Sequence, residues 1–566
     1  MFRASYLILI IVCIAPVAPG LIGVSLSSFG YIPPIGLEQL SLGAYSLVFD
    51  WSGVAQSIFL TLFSSIASTY LAALVCFAII QQLWFSRHWR KVETMLSPLL
   101  ALPHVAFAIG FAFLLAPTGV FARIAHEVFN LAPNNQTTAW FVNDAYAIGL
   151  TLALAMKEVP FLLLMSLPIL LQLNLDKTHH IASALGYSPS QMWLKIVFPQ
   201  WLNKMRFALF AVIAYGAAVV DLSLILGPTN PPTFAVLVWQ WFSDPDLTLL
   251  PRASAGAMVL FAIASALLLF VVGVEKLATQ QLNKWQYSGR YGFSLPGKSF
   301  ITAISALALF MLPIMLLWSF AHRWRFPDLL PSRYSLRFWQ FEWQNIWPTI
   351  EQSLLLAVIT AFLALFMGII AQEYRVKHRF SLPNYIIALP MLVPQLSLLF
   401  GLQITTLYLD SDQFMLWVIW SHLFFAFPFV YLALDGPWRS YNDNFTKTAL
   451  SLGKKPLYAF VMIKGRILLP ALLYAWAIGA SVSLAQYLPT LILGGGRVAT
   501  ITTEAVALSS GFDRRVTAIY AIWQAILPLI FFMISMLISH KARQRTYTPI
   551  KETLGHDTLS QKPFHQ

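Results

Sequence analysis

Charged side chains are scarce in this chain of 566 residues. Asp, Glu, Lys and Arg together make up 10% of the sequence, whereas a typical soluble domain carries about 25%. The hydrophobic fraction of 58% excludes an intrinsically disordered chain, because disordered segments are poor in apolar residues. The mean hydropathy of +0.69 excludes a soluble multidomain enzyme as well. The composition therefore predicts a polytopic membrane protein.

Cysteine and clustered catalytic residues are also scarce. The two cysteines, Cys13 and Cys76, lie within apolar runs, so the sequence has neither a disulfide framework nor the spacing of a cysteine metal site. The adjacent His179 and His180 alone do not make the ligand set of a zinc site. No Ser, His and Asp arrangement and no carboxylate pair suggests catalysis. We expect no catalytic residue, no metal ion and no cofactor.

Twelve apolar runs are long enough to cross a bilayer, since about 20 apolar residues span the hydrocarbon. They lie near 6–28, 54–81, 97–117, 145–173, 205–227, 254–275, 300–320, 348–371, 383–409, 413–434, 471–493 and 516–539. The sequence therefore predicts an all-α polytopic fold with about twelve transmembrane helices.

Basic residues are distributed unevenly around these runs. With the N-terminus inside, 26 of the 36 lie on the inner side and nine on the outer side, while Lys157 lies within a span. This bias follows the positive-inside rule and predicts cytoplasmic N- and C-termini. The segment 321–347 is an exception, with four arginines outside. Most of the net charge of +13 is then explained by the orientation of the spans in the membrane. We therefore expect the lipid bilayer rather than nucleic acid as a partner.

The chain repeats itself at an offset of 267 residues. Leu226-Gly227 recurs as Leu493-Gly494, and five residues of an earlier loop recur at the same offset. These are Ala182, Leu185, Gly186, Pro189 and Ile196, matched by Ala449, Leu452, Gly453, Pro456 and Ile463. Internal duplication is typical of transporters. We predict two parallel six-helix repeats, with a first half at 1–285, a cytoplasmic linker at 286–299, a second half at 300–545 and a cytoplasmic tail at 546–566.

The repeated loop lies on the inner side between the fourth and fifth spans of each half. It covers about 174–204 in the first copy and about 436–470 in the second. Each copy has small residues, a Leu-Gly pair, a proline three positions later and an amphipathic stretch. This pattern predicts a helix, a glycine turn and a second helix along the membrane surface, which can present a helix face to a groove on a partner.

These loops resemble the signature of the permease subunits of ATP-binding-cassette (ABC) importers. The signature reads E-A-A, three residues, G, nine residues and then I-x-L-P. The first copy matches it at Ala182, Gly186, Ile196 and Pro199, and the second at Ala449, Gly453 and Ile463. Both copies lack the leading Glu, with His180 and Lys447 in its place, and Gly465-Arg466 replaces the second Leu-Pro. The two fused halves and the segment 485–497 resemble the thiamine and ferric-iron importer branch.

The resemblance implies a permease subunit in the bacterial inner membrane. Each loop would dock on one of two separate ABC ATPase subunits, and a periplasmic solute-binding protein would deliver the solute. ATP hydrolysis would then belong to the partner subunits, so we do not expect this chain to be an enzyme. The solute stays open among thiamine, ferric iron, a polyamine and other small polar solutes.

Polar residues within spans are functional candidates, because they are costly in lipid. Lys157 and Glu158 lie in the fourth span, where the second half has Phe425 and Ala426. They could line the pathway, or they could form a buried polar tie between helices. The remaining pathway candidates are Asp221 and Gln486, with Gln395, Gln403, His104 and His422 as weaker ones.

Two patterns favour other functions. The segment Gly292–Ser299 satisfies the P-loop pattern G-x-x-x-x-G-K-[ST], but about 25 residues between two spans are too few for a nucleotide-binding α/β domain, and we interpret it as a chance match. The two six-span repeats also suit an ion-coupled secondary transporter, which is the alternative function. A membrane-embedded enzyme is a third class, disfavoured by the lack of clustered acidic residues.

Overall fold

The computed structural model describes residues 2–130, 141–281, 284, 292–378, 383–409, 412–511 and 513–554. Within these residues the chain is almost entirely helical, with one two-stranded antiparallel sheet that pairs Ala321–Arg323 with Arg333–Tyr334. The all-α polytopic prediction is confirmed. Residues 286–291 of the predicted linker and 555–566 of the predicted tail lie outside the described residues.

Ten helices in the described part of the chain are long and apolar enough to cross a membrane. Two shorter apolar helices, Arg206–Ala218 and Gln395–Leu407, lie where the fifth and ninth spans are predicted. We number the spans 1 to 12 in chain order. Seven of them are continuous: Val54–Leu83 (span 2), Ile148–Gln172 (4), Leu250–Lys276 (6), Gly297–Phe320 (7), Arg337–His378 (8), Phe414–Ser440 (10) and Arg514–Leu554 (12).

The other five spans are interrupted. Their parts are Phe2–Cys13 and Val17–Ser28 (span 1), Trp89–Ala101 and His104–Leu115 (3), Arg206–Ala218 and Asp221–Leu226 (5), Leu389–Leu392 and Gln395–Leu407 (9), and Gly465–Ala485 and Leu488–Leu493 (11). Extended residues such as Leu102, Val219 and Gln486 end the first part in spans 3, 5 and 11. Shorter helices outside the spans include Gly43–Phe49, Val120–Phe129, Phe234–Phe242, Asn384–Ile387 and Ile501–Ser509.

Spans 1–6 and spans 7–12 interlock. Spans 2, 4, 5 and 6 pack together, and spans 8, 10, 11 and 12 do the same. Span 1 crosses onto spans 8, 9 and 10, while span 7 packs against spans 2 and 3. Span 3 in turn contacts spans 7 and 12, and span 9 contacts spans 1 and 6. The largest cluster of buried apolar side chains therefore contains residues of both halves.

Spans 1 and 9 approach each other closely at three glycines. A Cβ added to Gly401 would lie 1.6 Å from the carbonyl oxygen of Gly20, and one added to Gly23 would lie 2.5 Å from the carbonyl oxygen of Gly401. Small residues allow such close backbone contact between membrane helices. This crossing therefore depends on the absence of side chains.

We predict that Gly401→Ala destabilises the protein, because the new methyl group must push two backbones apart. Overpacking of this kind costs about 1–3 kcal/mol, so the thermal unfolding midpoint in detergent should fall by at least about 2 °C. Gly273→Ala in span 6 is the matched control, since no atom lies within 4 Å of its added Cβ. An equal effect of both substitutions would contradict the crossing.

Candidate functional site

The first repeated loop folds as a helix, a tight turn and a second helix. The helix Leu175–Ala184 leads to Gly186, whose φ of +76° is left-handed. The N–H of Tyr187 donates to the carbonyl oxygen of Ala182 at 2.9 Å, which closes the helix end as in a Schellman motif. The helix Pro189–Met192 follows.

The second repeated loop has the same backbone geometry 267 residues later. The helix Asn444–Ser451 precedes Gly453, which has a φ of +78°. The N–H of Lys454 donates to the carbonyl oxygen of Ala449 at 3.1 Å, and the helix Pro456–Tyr458 follows. We call residues 175–204 and 444–464 the matched segments.

Each matched segment buries an alanine and exposes a leucine beside its glycine. Ala182 and Ala449 are 2% and 4% exposed, whereas Leu185 and Leu452 are 62% and 74% exposed. Any residue with a Cβ is strained at the left-handed φ of the glycine, so the turn fixes where the leucine stands. The result is two similar apolar surfaces next to rigid turns.

The remaining predicted loop residues lie in the second helix of each matched segment. Pro189 and Pro456 are exposed at the helix starts, and Ile196 and Ile463 are half-buried in π-helical turns. Pro199 lies in the helix Phe198–Lys204. Among the described residues, no group of three or more His, Cys, Asp or Glu is placed to hold a metal ion.

Aromatic packing and one ion pair hold the first matched segment to its spans. Trp193 and Trp201 are each 1% exposed, and the indole N–H of Trp201 donates to Ser166 Oγ in span 4 at 2.8 Å. At the start of span 5, two residues after the segment, Arg206 Nη2 donates to Glu275 Oε1 of span 6 at 2.6 Å. The segment is therefore tied to span 4 directly and to span 6 through the first residue of span 5.

An ion pair holds the second matched segment to span 8. Lys464, 4% exposed, pairs with Glu373 of span 8, and the indole N–H of Trp438 donates to the same carboxylate at 2.8 Å. Nearby, Arg375 of span 8 pairs with Asp435 of span 10 and joins these two spans. Sequence reasoning missed these groups. The available signal was an acidic residue at the inner end of spans 6 and 8, each within reach of basic residues in the loop.

Polar side chains meet at the interruptions of spans 3 and 5. His104 begins the second part of span 3, with its Nε2 3.8 Å from Glu158 Oε1 and its ring 4.9 Å from that of Tyr215. Asp221 begins the second part of span 5 and lies close enough to His104 and Tyr215 to interact electrostatically. The breaks in spans 3 and 5 and the neighbouring turn of span 4 thus bring together an imidazole, two carboxyl groups and a phenol.

The second half contributes polar residues at the corresponding interruptions. Gln486, at the break in span 11, accepts a hydrogen bond from Gln395 Nε2 at 2.9 Å, and Gln395 begins the second part of span 9. Tyr487 lies within electrostatic range of Asp221 in the first half. We call this group the central cluster; its members are His104, Glu158, Tyr215, Asp221, Gln395, Gln486 and Tyr487.

Lys157 lies outside the central cluster. Its Nζ donates to the carbonyl oxygen of Leu99 at 3.0 Å and also to that of Leu102, at the end of the helix Trp89–Ala101. A cation suits the carbonyls of a helix C-terminus, so the contacts of Lys157 are those of a polar tie. Its neighbour Glu158 points to His104 instead.

The P-loop-like residues 292–299 serve packing. Residues 292–296 form neither a helix nor a strand, and Gly297 begins span 7. A Cβ on Gly297 would lie 2.2 Å from the carbonyl oxygen of Ala78, so the glycine permits contact between spans 7 and 2. The N–H of Lys298 donates to Gln82 Oε1 at 2.7 Å. The described contacts of Gly297 and Lys298 are therefore those of packing between spans 7 and 2.

Comparison with known proteins gives relatives but no matching family model. The chain is 29% identical over 517 residues to the inner membrane ABC transporter permease protein YnjC of Escherichia coli strain K12, which covers 88% of this chain and 91% of the relative. It is 25% identical over 301 residues to the thiamine transport system permease protein ThiP of Haemophilus influenzae, covering 51% and 53%.

A third relative is the spermidine/putrescine transport system permease protein PotC homolog of Mycoplasma pneumoniae. The identity is 25% over 163 residues, which cover 29% of this chain and 55% of the relative. All three relatives are transport-system permeases, and the first extends over most of both chains. With its membrane-spanning helices, the chain is a multi-pass membrane transport component that resembles the inner-membrane permease subunits of ABC transporters.

Proposed function

We propose that this chain is the permease subunit of an ABC importer. It forms the transmembrane pathway for a small solute that a periplasmic binding protein delivers, and two separate ATPase subunits drive transport. One observation carries the proposal: the same glycine turn, buried alanine and exposed leucine occur twice, 267 residues apart. Two like surfaces suit two copies of one partner.

The matched segments connect to the central cluster through helices. In the second half, one apolar helix runs from Pro456 to Ala485, a length of about 45 Å, and Gln486 follows directly. In the first half, Arg206–Ala218 leads to Asp221. A displacement of either segment by an ATPase would therefore move a residue of the central cluster. This linkage gives the proposed rocking of the halves a physical path.

The central cluster favours a cationic solute. It holds the carboxyl groups of Glu158 and Asp221 and no Lys or Arg, since the Lys157 ammonium is directed to backbone carbonyls. Carboxylates inside a membrane protein attract and stabilise a cation. Two relatives are named for thiamine and for spermidine or putrescine, which are organic cations. We propose this solute class for the present chain.

We predict that Leu185→Asp and Leu452→Asp each weaken binding of the cognate ATPase. Burial of a leucine stabilises a contact by about 2 kcal/mol, so the dissociation constant should rise about thirtyfold. The dissociation constant is measured by titrating purified ATPase onto the permease in nanodiscs. Leu40→Asp is the matched control, because Leu40 is 70% exposed and lies on the predicted outer side.

Substitution of the two turn glycines is a second test of the docking role. Gly186→Asp and Gly453→Asp should abolish ATP-driven uptake without loss of expression, because the left-handed turns are disturbed. Full uptake by both variants would refute the role of the segments. Uptake in reconstituted vesicles that needs only an ion gradient, with no ATPase present, would favour the secondary transporter.

We predict that Asp221→Asn lowers uptake of labelled thiamine or spermidine at least about tenfold, equivalent to about 1.4 kcal/mol of lost stabilisation, because the cluster loses one of its two carboxyl groups. ATPase binding should stay unchanged, since the matched segments are intact. Asp50→Asn, at an exposed position outside the spans, should behave as the unmodified protein. Equal loss of uptake in both variants would argue against a specific role for Asp221.

A further inference from the structure

A polar cavity lies at the end of the molecule opposite the matched segments. Its volume is about 410 Å³, and its lining comes from the end of span 7, the loop after span 3 and the start of span 12. The guanidinium groups of Arg123, Arg514 and Arg515 all line it. Three of the nine basic residues predicted on the outer side therefore meet at one place.

Arg123 is buried but is hydrogen-bonded only to neutral groups in the described part of the chain. Its side chain is 2% exposed. Its Nε donates to the carbonyl oxygen of Thr118 at 3.1 Å, and Nη1 donates to that of Arg325 at 2.9 Å and to that of Asp328. The guanidinium carbon lies 4.7 Å from the ring centroid of Trp324. These contacts position the guanidinium without an ion pair to the described residues, while the carboxyl group of Asp328 and the like charge of Arg514 act on it with opposite sign.

Arg514 is half-buried and is also hydrogen-bonded only to neutral groups in the described residues. Its Nη2 donates to Thr118 Oγ1 at 2.7 Å, and its guanidinium carbon lies 5.3 Å from the ring centroid of Trp318. Arg123 stands over the same Trp318 ring at 5.9 Å. Within residues 2–130, 141–281 and the later described ranges, no carboxylate oxygen lies within 4.0 Å of either guanidinium. Two like charges thus share one threonine and one tryptophan.

The carboxylate that lines this cavity is already engaged. Asp513 Oδ1 and Oδ2 accept hydrogen bonds from Nε and Nη2 of Arg515, each at 2.8 Å. Burial raises the pKa of this carboxyl, but hydrogen bonds from Arg515 and from backbone N–H groups outweigh it and hold the pKa below its usual value. Asp513 therefore stays ionised and balances Arg515 alone.

The imidazole of His322 adds a buried polar atom without a hydrogen bond within the described chain. His322, between Ala321 and Arg323 in the short sheet, also lines the cavity, and its Nδ1 is buried without a hydrogen bond. A buried charge without a counter-charge is costly, and so is a buried polar atom without a hydrogen bond. An anion in the cavity would offset both costs at once.

We propose that this cavity binds a phosphate-type oxyanion, which Arg123 and Arg514 hold between them. Guanidinium groups present several N–H donors in a planar arrangement that matches phosphate oxygens. The phosphate could be free in solution or could belong to the headgroup of an anionic lipid at the outer surface. Both sources place the same chemistry between the same two arginines. The site is separate from the central cluster and the matched segments.

The test uses the purified full chain in phosphatidylcholine nanodiscs and follows the thermal unfolding midpoint by tryptophan fluorescence. One arm adds inorganic phosphate against chloride of equal ionic strength. The other arm replaces part of the phosphatidylcholine by phosphatidylglycerol without added phosphate. A ligand that binds only the folded state raises the midpoint in a saturable way. A rise in the first arm identifies a free anion, and a rise in the second alone identifies the lipid headgroup.

Arg514→Gln should weaken the apparent affinity at least tenfold, whereas Arg514→Lys should keep part of it. Arg333→Gln is the matched control, because Arg333 is exposed in the same sheet and does not line the cavity. Arg515→Gln is a second test variant. It frees the Asp513 carboxylate to neutralise Arg514, so it should also weaken phosphate binding.

The proposal is overturned if neither arm raises the midpoint of the unmodified protein. It is also overturned if Arg514→Gln and Arg515→Gln respond with the same concentration dependence as the control. Because the experiment needs neither ATPase nor transported solute, its outcome is independent of the proposed import function.

Discussion

Backbone hydrogen bonding in hydrocarbon is the constraint on which the rest of this structure depends. Water is absent there, so a spanning segment must satisfy its N–H and C=O groups internally as a helix, and irregular backbone is tolerated only where protein or a water-filled space covers it. Seven spans obey this rule without interruption. The breaks in spans 3, 5, 9 and 11 lie beside the residues of the central cluster, so the irregular backbone and the polar side chains occupy the same region.

The positions of the buried charged side chains reflect a related cost, the loss of water around an ion. A buried ion is stable only when other groups replace its lost water. Lys157 uses backbone carbonyls, and Lys464 uses the carboxylate of Glu373. Arg123 and Arg514 have carbonyl, hydroxyl and aromatic neighbours, but no carboxylate oxygen of the described residues lies within 4.0 Å of either guanidinium. Both belong to the nine basic residues predicted on the outer side, and neither forms an ion pair within the described chain.

The two matched segments share a backbone but differ in how they are held. The left-handed glycines Gly186 and Gly453 and the hydrogen bonds that close the helices are equivalent. The first segment is fixed by buried tryptophans and the second by the ion pair of Lys464 with Glu373 of span 8. The repeat therefore preserves the geometry presented at the surface, while the interior contacts that support it differ between the halves.

The amino-acid sequence determined the membrane class, the ten long apolar helices and the places of Gly186 and Gly453, because apolar length and a Leu-Gly turn signal are local properties. The predicted fifth and ninth spans contain only shorter apolar helices. The sequence left open whether Lys157 lines a pathway or ties helices, since both roles need the same residue type in the same span. Only the tertiary structure showed that the Lys157 ammonium is directed to backbone carbonyls, and only it placed Asp221 near Tyr487 and Arg123 beside Arg514. The two members of each pair are separated by hundreds of residues along the chain, so their proximity depends on helix packing that no local pattern encodes.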